Sequence, residues 1–547
     1  MTQLIHELII ETARRTPLAP ALSCQGLQLD YAALAAALGG AAVALLALGL
    51  ERGERVAVYL EKREETVIAM FGAAAAGAVF VPVNPLLKPE QVAYILADCN
   101  VRILVTSRER LRQLHGVLAG CPDLNTVVLA GTPEFPAVPV PGIRCIDWGD
   151  SLGIAAAHTQ ESPHESWHES QPGSRPEAHR VIDSDMAAIL YTSGSTGKPK
   201  GVVLSHRNLV AGALSVSGYL GNHAQDRILC LLPLSFDYGL SQLTTVFASG
   251  ACAVLMNHLL VRDIIETVEQ ESITGLAAVP PLWIQLSQLS WPLSCTLRYI
   301  TNSGGAMQRS TIDKLRAALP RTQIYLMYGL TEAFRSTFLA PEQLARRPDS
   351  IGKAIPNAEV MVLRNDGTPC AADEPGELVH RGALVAMGYW NDAGKTSERF
   401  KPLPPRQPGL PLPELAVWSG DTVRRDSEGF LYFIGREDDM IKTSGYRVSP
   451  GEIEDVAYGS GLVGEAAAFG VPHPMLGQAI ALLATSAPGQ ALQADALLAA
   501  CKAALPGYMV PAWVDIRSDA LPRNPNGKID RKSLAAELSR VFAGGAA

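Results

Sequence analysis

The chain has 547 residues, 48% apolar and 18% charged, an ordinary balance for a folded globular enzyme and too much chain for one hydrophobic core, so two or more domains are expected. The net charge of −8 gives no electrostatic reason to expect nucleic acid or an anionic membrane as a partner. Nine scattered cysteines without a Cys-x-x-Cys pair point to a reducing compartment and away from a zinc site or disulfide framework.

Glu7, Glu11, Arg14 and Arg15 interrupt the first thirty residues, leaving no clean apolar core for a signal peptide, so a cytoplasmic location is expected. Tyr31 to Leu50 carries no charge, but it is mostly Ala and Gly with a single Val and neither Ile nor Phe. Such a segment forms a helix readily and has little to drive membrane insertion, so a packed helix of a soluble domain is predicted and stable membrane insertion is not. Arg55–Leu60 reads as a strand, a helix follows from about Glu65, and Ala78–Val83 and Val101–Val105 read as further strands. This alternation predicts α/β layers. Residues 158–180 are rich in Ser, Glu, Pro and His and read as a surface linker. His164 and His168 lie four apart there, but Pro-broken surroundings offer no rigid helix for a metal pair.

Between the apolar runs Met186–Leu190 and Val202–Leu204, the stretch Tyr191–Gly201 packs four Ser/Thr hydroxyls, three glycines and two lysines into eleven residues. Glycines let successive N–H groups point into one concavity, hydroxyls add donors, and lysines neutralise charge, as a polyphosphate cradle requires. It is not a Walker loop, which needs Gly at 192 and Ser or Thr at 199, where Thr192 and Pro199 stand. Residues 402–413 form a proline-rich loop, Gly429–Ile434 reads as a strand, and Gly435–Met440 looks like a domain boundary. The division expected is 1–437 and 438–547, with a smaller α/β segment opening at Lys442.

The loop Tyr191–Gly201 resembles the signature of the adenylate-forming superfamily of acyl-CoA synthetases, amino-acid adenylation domains and firefly luciferase, and the resemblance extends over nearly the whole chain. It implies an α/β fold with a large N-terminal domain of layered sheets and helices and a small mobile C-terminal domain. It also implies ATP and Mg²⁺ as cofactors and a carboxylic acid as substrate. Thr192, Ser193, Gly194, Ser195, Thr196, Gly197 and Lys200 would hold the β- and γ-phosphates. In Tyr328-Gly-Leu-Thr-Glu332, Thr331 would bond the α-phosphate and Glu332 would hold Mg²⁺. Gly304 and Gly305 would let the backbone approach adenine, with Tyr328 stacking on the base, while Asp421 and Arg436 would take the ribose. Ile441–Glu454 resembles the loop used in thioester formation, Gly445 leaving room for a pantetheine arm. Asp438 matches the hinge, and Pro522–Asp530 matches the closing motif, with Lys528 the lysine between carboxylate and α-phosphate.

The resemblance also maps an acid pocket onto Phe236, Asp237, Tyr238, Ser241, Ala278, Ile300, Asn302, Met327, Arg335 and Ser336. Phe236-Asp237 stands where amino-acid-activating relatives carry a Phe-Asp pair whose carboxylate binds the substrate amino group. An acid and a base in one pocket do not suit a long alkyl chain, so Asp237 and Arg335 either bridge one another or bind a polar acid. The loop Lys442–Pro450 instead reads more like that of acyl-CoA synthetases. Closer phrases such as FDYGLSQLT and YGLTEAFRST look like the AMP-forming acyl-CoA ligases associated with bacterial exosortase A gene clusters. The expected acceptor is CoA, and the alternative is the phosphopantetheine of a separate carrier protein, since the one Asp-Ser-Leu triplet, Asp150–Leu152, lies mid-chain beside the linker. Two competing classes are an ATPase or kinase releasing ADP, disfavoured by the missing Walker spacing, and an inactive binding protein, disfavoured by the presence of Glu332 and Lys528.

Overall fold

A computed structural model describes residues 2–131, 139–151, 178–192, 199–403, 413–436, 439–443, 446–473, 476–487, 489, 491–524 and 527–542. The expected linker at 158–177, most of the proline-rich loop, Ser193 to Gly197, Asp438 and Gly445 lie outside these residues.

Three sheets organise the chain. The fourteen-stranded sheet has six consecutive parallel strands at its heart, in the order Gln323–Tyr328, Tyr299–Asn302, Gly275–Ala278, Arg227–Cys230, Cys252–Leu255 and Pro20–Cys24. Beyond Tyr328 it continues antiparallel through Thr337–Leu339 and Ser350–Ala354 to Leu431–Arg436 and Leu415–Arg425. The eight-stranded sheet carries Arg55–Tyr59, Val79–Pro82, Val101–Ser107 and Met186–Thr192, and turns antiparallel at Lys200–Ser205. These match the strands expected from the apolar runs. A five-stranded sheet is built from Ile441–Thr443, Tyr446–Val448, Val463–His473, Gly477–Ser486 and Trp513–Arg517, with its own buried core around Ile453, Leu482 and Leu497. The fold is therefore α/β, as expected.

The uncharged segment forms the helix Tyr31–Ala47, capped by Asp30, whose carboxylate accepts from Ala33 N at 2.7 Å. Its small residues permit close packing on the helix Glu64–Ala75: a Cβ on Gly72 would come within 2.9 Å of Ala41 Cβ. Bulkier apolar residues would prevent that approach, which accounts for the Ala/Gly composition. Among the described residues no helix is long and apolar enough to cross a membrane.

The N-terminal helix Glu7–Arg15 braces the helix Asp237–Ser249, with Thr12 Oγ1 donating to Phe247 O at 3.3 Å. Just before it, Ile5 N donates to His206 Nδ1 at 3.1 Å, and the buried His6 ring meets His206 edge-on at 6.1 Å. Burial lowers the pKa of His6 to about 4 and of His206 to about 3. A histidine whose folded pKa is depressed gives stability that is present above its unfolded value near 6.5 and lost as pH falls towards the folded value. Urea unfolding at pH 4 should therefore show a stability loss, relative to pH 7, of about 3 kcal/mol from each of the two histidines. A His6→Leu variant that kept the full pH slope would refute that assignment.

Candidate active site

Parallel strands end on one edge, and in open α/β sheets that carboxyl edge is where ligands bind. Ala278, Asn302 and Tyr328 are the last residues of three adjacent strands, so the loops that follow them converge. Arg227–Cys230 ends on the same edge and leads through Pro233 to the helix that Asp237 opens. Thr192 likewise ends its strand in the second sheet. Gly304 has φ +83°, a backbone conformation that side chains resist, and it is exposed, leaving the strand end uncovered.

At the proposed nucleotide end, Asp421 and Arg436 are direct cross-strand partners, and Arg436 Nε donates to Asp421 Oδ1 at 2.8 Å. The Asp421 side chain is 3% exposed and that of Arg436 53%, so the carboxylate is fixed from below while the guanidinium reaches water. Tyr328 donates its hydroxyl to the other oxygen of Asp421, and Ser419 Oγ accepts from Asp421 N at 3.1 Å. Burial and the Asp421 charge together hold the Tyr328 phenol well above its ordinary pKa. His380, whose two ring nitrogens are buried without a hydrogen-bond partner among the described residues, stacks on Tyr328 at 6.2 Å, and burial lowers its pKa to about 4. A neutral imidazole thus backs the tyrosine ring.

Thr331 and Glu332 form a short 3-10 turn, and Phe334 after it has φ 51°. A bulky residue rarely adopts that conformation. Phe334 is fully buried, and a Cβ on Gly212 would lie 2.5 Å from its ring, so the glycine makes room that locks the strained turn. Glu332 and Arg335 consequently both act electrostatically on Asp237. Tyr389 donates its hydroxyl to Glu332 Oε1 at 2.5 Å. One hard carboxylate suits Mg²⁺, which is usually held by one or two carboxylates and substrate phosphates. Among the described residues no three His, Cys, Asp or Glu side chains gather into a protein-only metal cage.

In the acid pocket, Arg335 is 3% exposed, and its Nη1 lies 3.7 Å from Asp237 Oδ2. Its guanidinium covers the Tyr238 ring at 4.6 Å, and Tyr238 bonds Thr301 Oγ1 at 2.6 Å. Asp237 is pushed above the usual carboxylate range, burial dominating over the opposing Arg335 charge. Ser241, Ala278, Ile300, Asn302, Met327 and Ser336 are all buried, and Phe236 is half-buried before the helix. Beneath Tyr238 a cavity of about 30 Å³ is lined by Ser241, Gln242, Thr245, Thr301 and Met327.

Lys528 comes from the far end of the chain. Its backbone closes a turn with Asn524, and Arg523 tethers that turn by donating to Gly527 O at 2.7 Å and pairing with Glu465. Arg531, three residues on, donates to Glu454 Oε2 at 2.6 Å, joining the closing motif to the helix Pro450–Gly459. Lys528 is exposed. Protein surrounds it closely enough that desolvation first, and Arg436 next, hold its ammonium below the ordinary lysine range, while Asp237 and Asp421 oppose them. Lys528, Asp237, Asp421, Arg436, Glu332 and Arg335 therefore share one electrostatic environment. Sequence reasoning missed Tyr389, His380 and the cations near Lys200. The one local signal for Tyr389 was an aromatic directly after Gly388.

The family model described as AMP-binding enzyme matches residues 9–390, and that of the AMP-binding enzyme C-terminal domain matches 452–528. The L-proline--[L-prolyl-carrier protein] ligase of Pseudomonas fluorescens is 30% identical, over 98% of this chain and 99% of the relative. Tyrocidine synthase 3 of Brevibacillus parabrevis is 30% identical over 97% of this chain. The chain spans only 8% of the length of that much longer relative. Among solved structures, the o-succinylbenzoate CoA synthetase of Bacillus subtilis in complex with the acyl-adenylate OSB-AMP is similar, with a TM-score of 0.78 and 25% identity over 96% of this chain and 97% of that one.

Proposed function

This chain belongs to the family of AMP-binding enzymes, and we propose that it is an AMP-forming acid–thiol ligase that activates a small carboxylic acid with ATP and transfers the acyl group to CoA. The observation that supports this reading is that Lys528, from the C-terminal segment, lies within electrostatic range of Asp237, Asp421 and Arg436, residues the reading gives to the acid and the nucleotide.

In the first step a carboxylate oxygen attacks the α-phosphorus in line. The bond to the bridging oxygen breaks, and its electron pair leaves with pyrophosphate. Lys528 shares the charge that builds on the attacking and equatorial oxygens, and Thr331 donates to the α-phosphate. Tyr328 supports adenine on a ring fixed by Asp421 and backed by His380, while Asp421 and Arg436 hold the ribose. When bound beside Glu332, Mg²⁺ supplies positive charge to the departing phosphates. In the second step the segment 438–547 turns about Asp438, Lys528 withdraws, and Gly445 admits the pantetheine arm. The thiolate sulfur attacks the acyl carbon, forming the thioester as the bond to the AMP oxygen breaks. Excluding water between the steps protects the mixed anhydride. A cytoplasmic setting is consistent with nine free cysteines.

A second reading is favoured by Asp237 at the start of its helix beside Arg335: a polar acid or an amino acid, loaded onto the phosphopantetheine of a separate carrier protein. The small size of the cavity at Tyr238, about 30 Å³, supports a compact acid over a long alkyl chain. Pyrophosphate exchange over amino acids, hydroxy acids and fatty acids should reveal one class that drives exchange, and adding CoA or a carrier protein should then release AMP. Release of ADP instead would sink the ligase reading.

A further inference from the structure

The strand Gly388–Tyr389 pairs antiparallel with Lys200–Ser205, and Trp390 N donates to Gly201 O at 2.8 Å. This register seats Tyr389 beside the end of the phosphate-loop stretch, with Lys200 Nζ 5.3 Å from its ring. Asp392 then caps the helix Ala393–Arg399, its Oδ1 accepting from Lys395 N at 3.0 Å, and Tyr389 N donates to Thr396 Oγ1 at 3.0 Å. The helix is thus clamped to the strand. Lys395 and Arg399 are four apart and share a face.

Lys395 and Arg399 both act electrostatically on Lys200, each adding positive charge to its surroundings. Arg399 also contacts the Tyr389 hydroxyl and donates from Nη1 to Trp418 O at 3.1 Å. Gly420, at φ +69°, makes this possible: a Cβ there would stand 2.3 Å from Arg399 Nη1. Three cations therefore gather where the charges acting on Lys200 include one nearby carboxylate, Asp392, while Tyr389 links them to Glu332. Burial and the two neighbouring cations lower the Lys200 pKa, the mark of a group held in a positive environment. A polyanion would relieve this crowding, and the cluster stands at the Glu332 end of the cleft.

We propose that Lys395 and Arg399, together with Lys200, grip pyrophosphate as it leaves. The inference rests on the reading above that puts the β- and γ-phosphates at Thr192–Lys200 and Glu332. As the α-phosphorus to bridging-oxygen bond breaks, the electron pair moves onto pyrophosphate, and these three side chains receive the added charge. The reading above assigns AMP to Tyr328, Asp421 and Arg436 and the acid to Asp237 and Arg335, none of which belongs to this cluster, so the grip is lost once pyrophosphate departs.

Calorimetric titration of Mg-pyrophosphate, Mg-ATP and AMP into the wild-type protein and Lys395→Gln, Lys395→Arg and Lys200→Gln variants tests this. Lys395→Gln should weaken Mg-pyrophosphate and Mg-ATP by about tenfold and leave AMP within about twofold, with Lys395→Arg restoring most of the loss. Unchanged pyrophosphate binding in Lys395→Gln with weakened binding in Lys200→Gln would overturn the role of Lys395 alone. Unchanged binding in both would remove the phosphate-end reading as well. Equal loss of AMP and pyrophosphate would make Lys395 a structural residue and overturn the proposal.

Discussion

Lys528→Ala should slow acyl-adenylate formation by about a hundred- to a thousandfold, because removing one preorganised charge partner of a transition state costs roughly 3–4 kcal/mol. Its charge acts within range of Asp237, which the proposed function gives to the acid, and of Asp421, which it gives to the nucleotide, with Arg436 opposing it. Thioester formation from preformed acyl-adenylate should change far less, since the proposed mechanism withdraws Lys528 in the second step. Lys528 is exposed and its turn is held by Arg523 and Asn524 rather than by its own head group, so the fold should tolerate the change. Single-turnover measurements of the two half-reactions decide the matter. Equal losses in both would rule out the two-conformation mechanism.

Asp237→Ala should weaken amino-acid substrates by about 2–5 kcal/mol, roughly thirtyfold to several thousandfold, and leave simple acids nearly unchanged. A buried carboxylate that loses its charge partner is costly, and so is an ammonium left without its carboxylate. The competing role is visible in the structure: Arg335 Nη1 stands 3.7 Å from Asp237 Oδ2, too long for a hydrogen bond but close enough for attraction. Burial raises the Asp237 pKa in spite of Arg335, so that arginine alone does not fully compensate the carboxylate. A substrate cation would add the missing charge. If Asp237 served only Arg335, Asp237→Ala would weaken every acid alike and Arg335→Met would relieve the loss in the double variant. Exchange kinetics on the two single variants and the double variant separate these outcomes. Activation of fatty acids and of no amino acid by the wild-type protein would end the amino-group reading.

Much of this protein is written locally in its sequence. The strands at Arg55, Val79 and Val101 follow from short apolar runs, and the helix at Tyr31 from an alanine-rich stretch whose small side chains suit close packing. The Gly/Ser/Thr/Lys stretch, Tyr328–Glu332 and the turn carrying Lys528 are recognisable because their chemistry depends on neighbours only a few residues away. Tertiary structure decided what those groups face. Asp421 and Arg436 become partners through the antiparallel register of two strands, and Tyr328 joins them from a third. Tyr389 reaches Glu332, and Arg335 reaches Asp237, only after the chain has folded. The cluster of Lys200, Lys395 and Arg399 likewise depends on one two-residue strand pairing with the end of the phosphate-loop stretch. Backbone conformation and loop chemistry are set within a few residues, so the sequence alone determined them. Charge pairing falls off over a few ångströms of space, and only the tertiary fold brings residues so distant along the chain within that range.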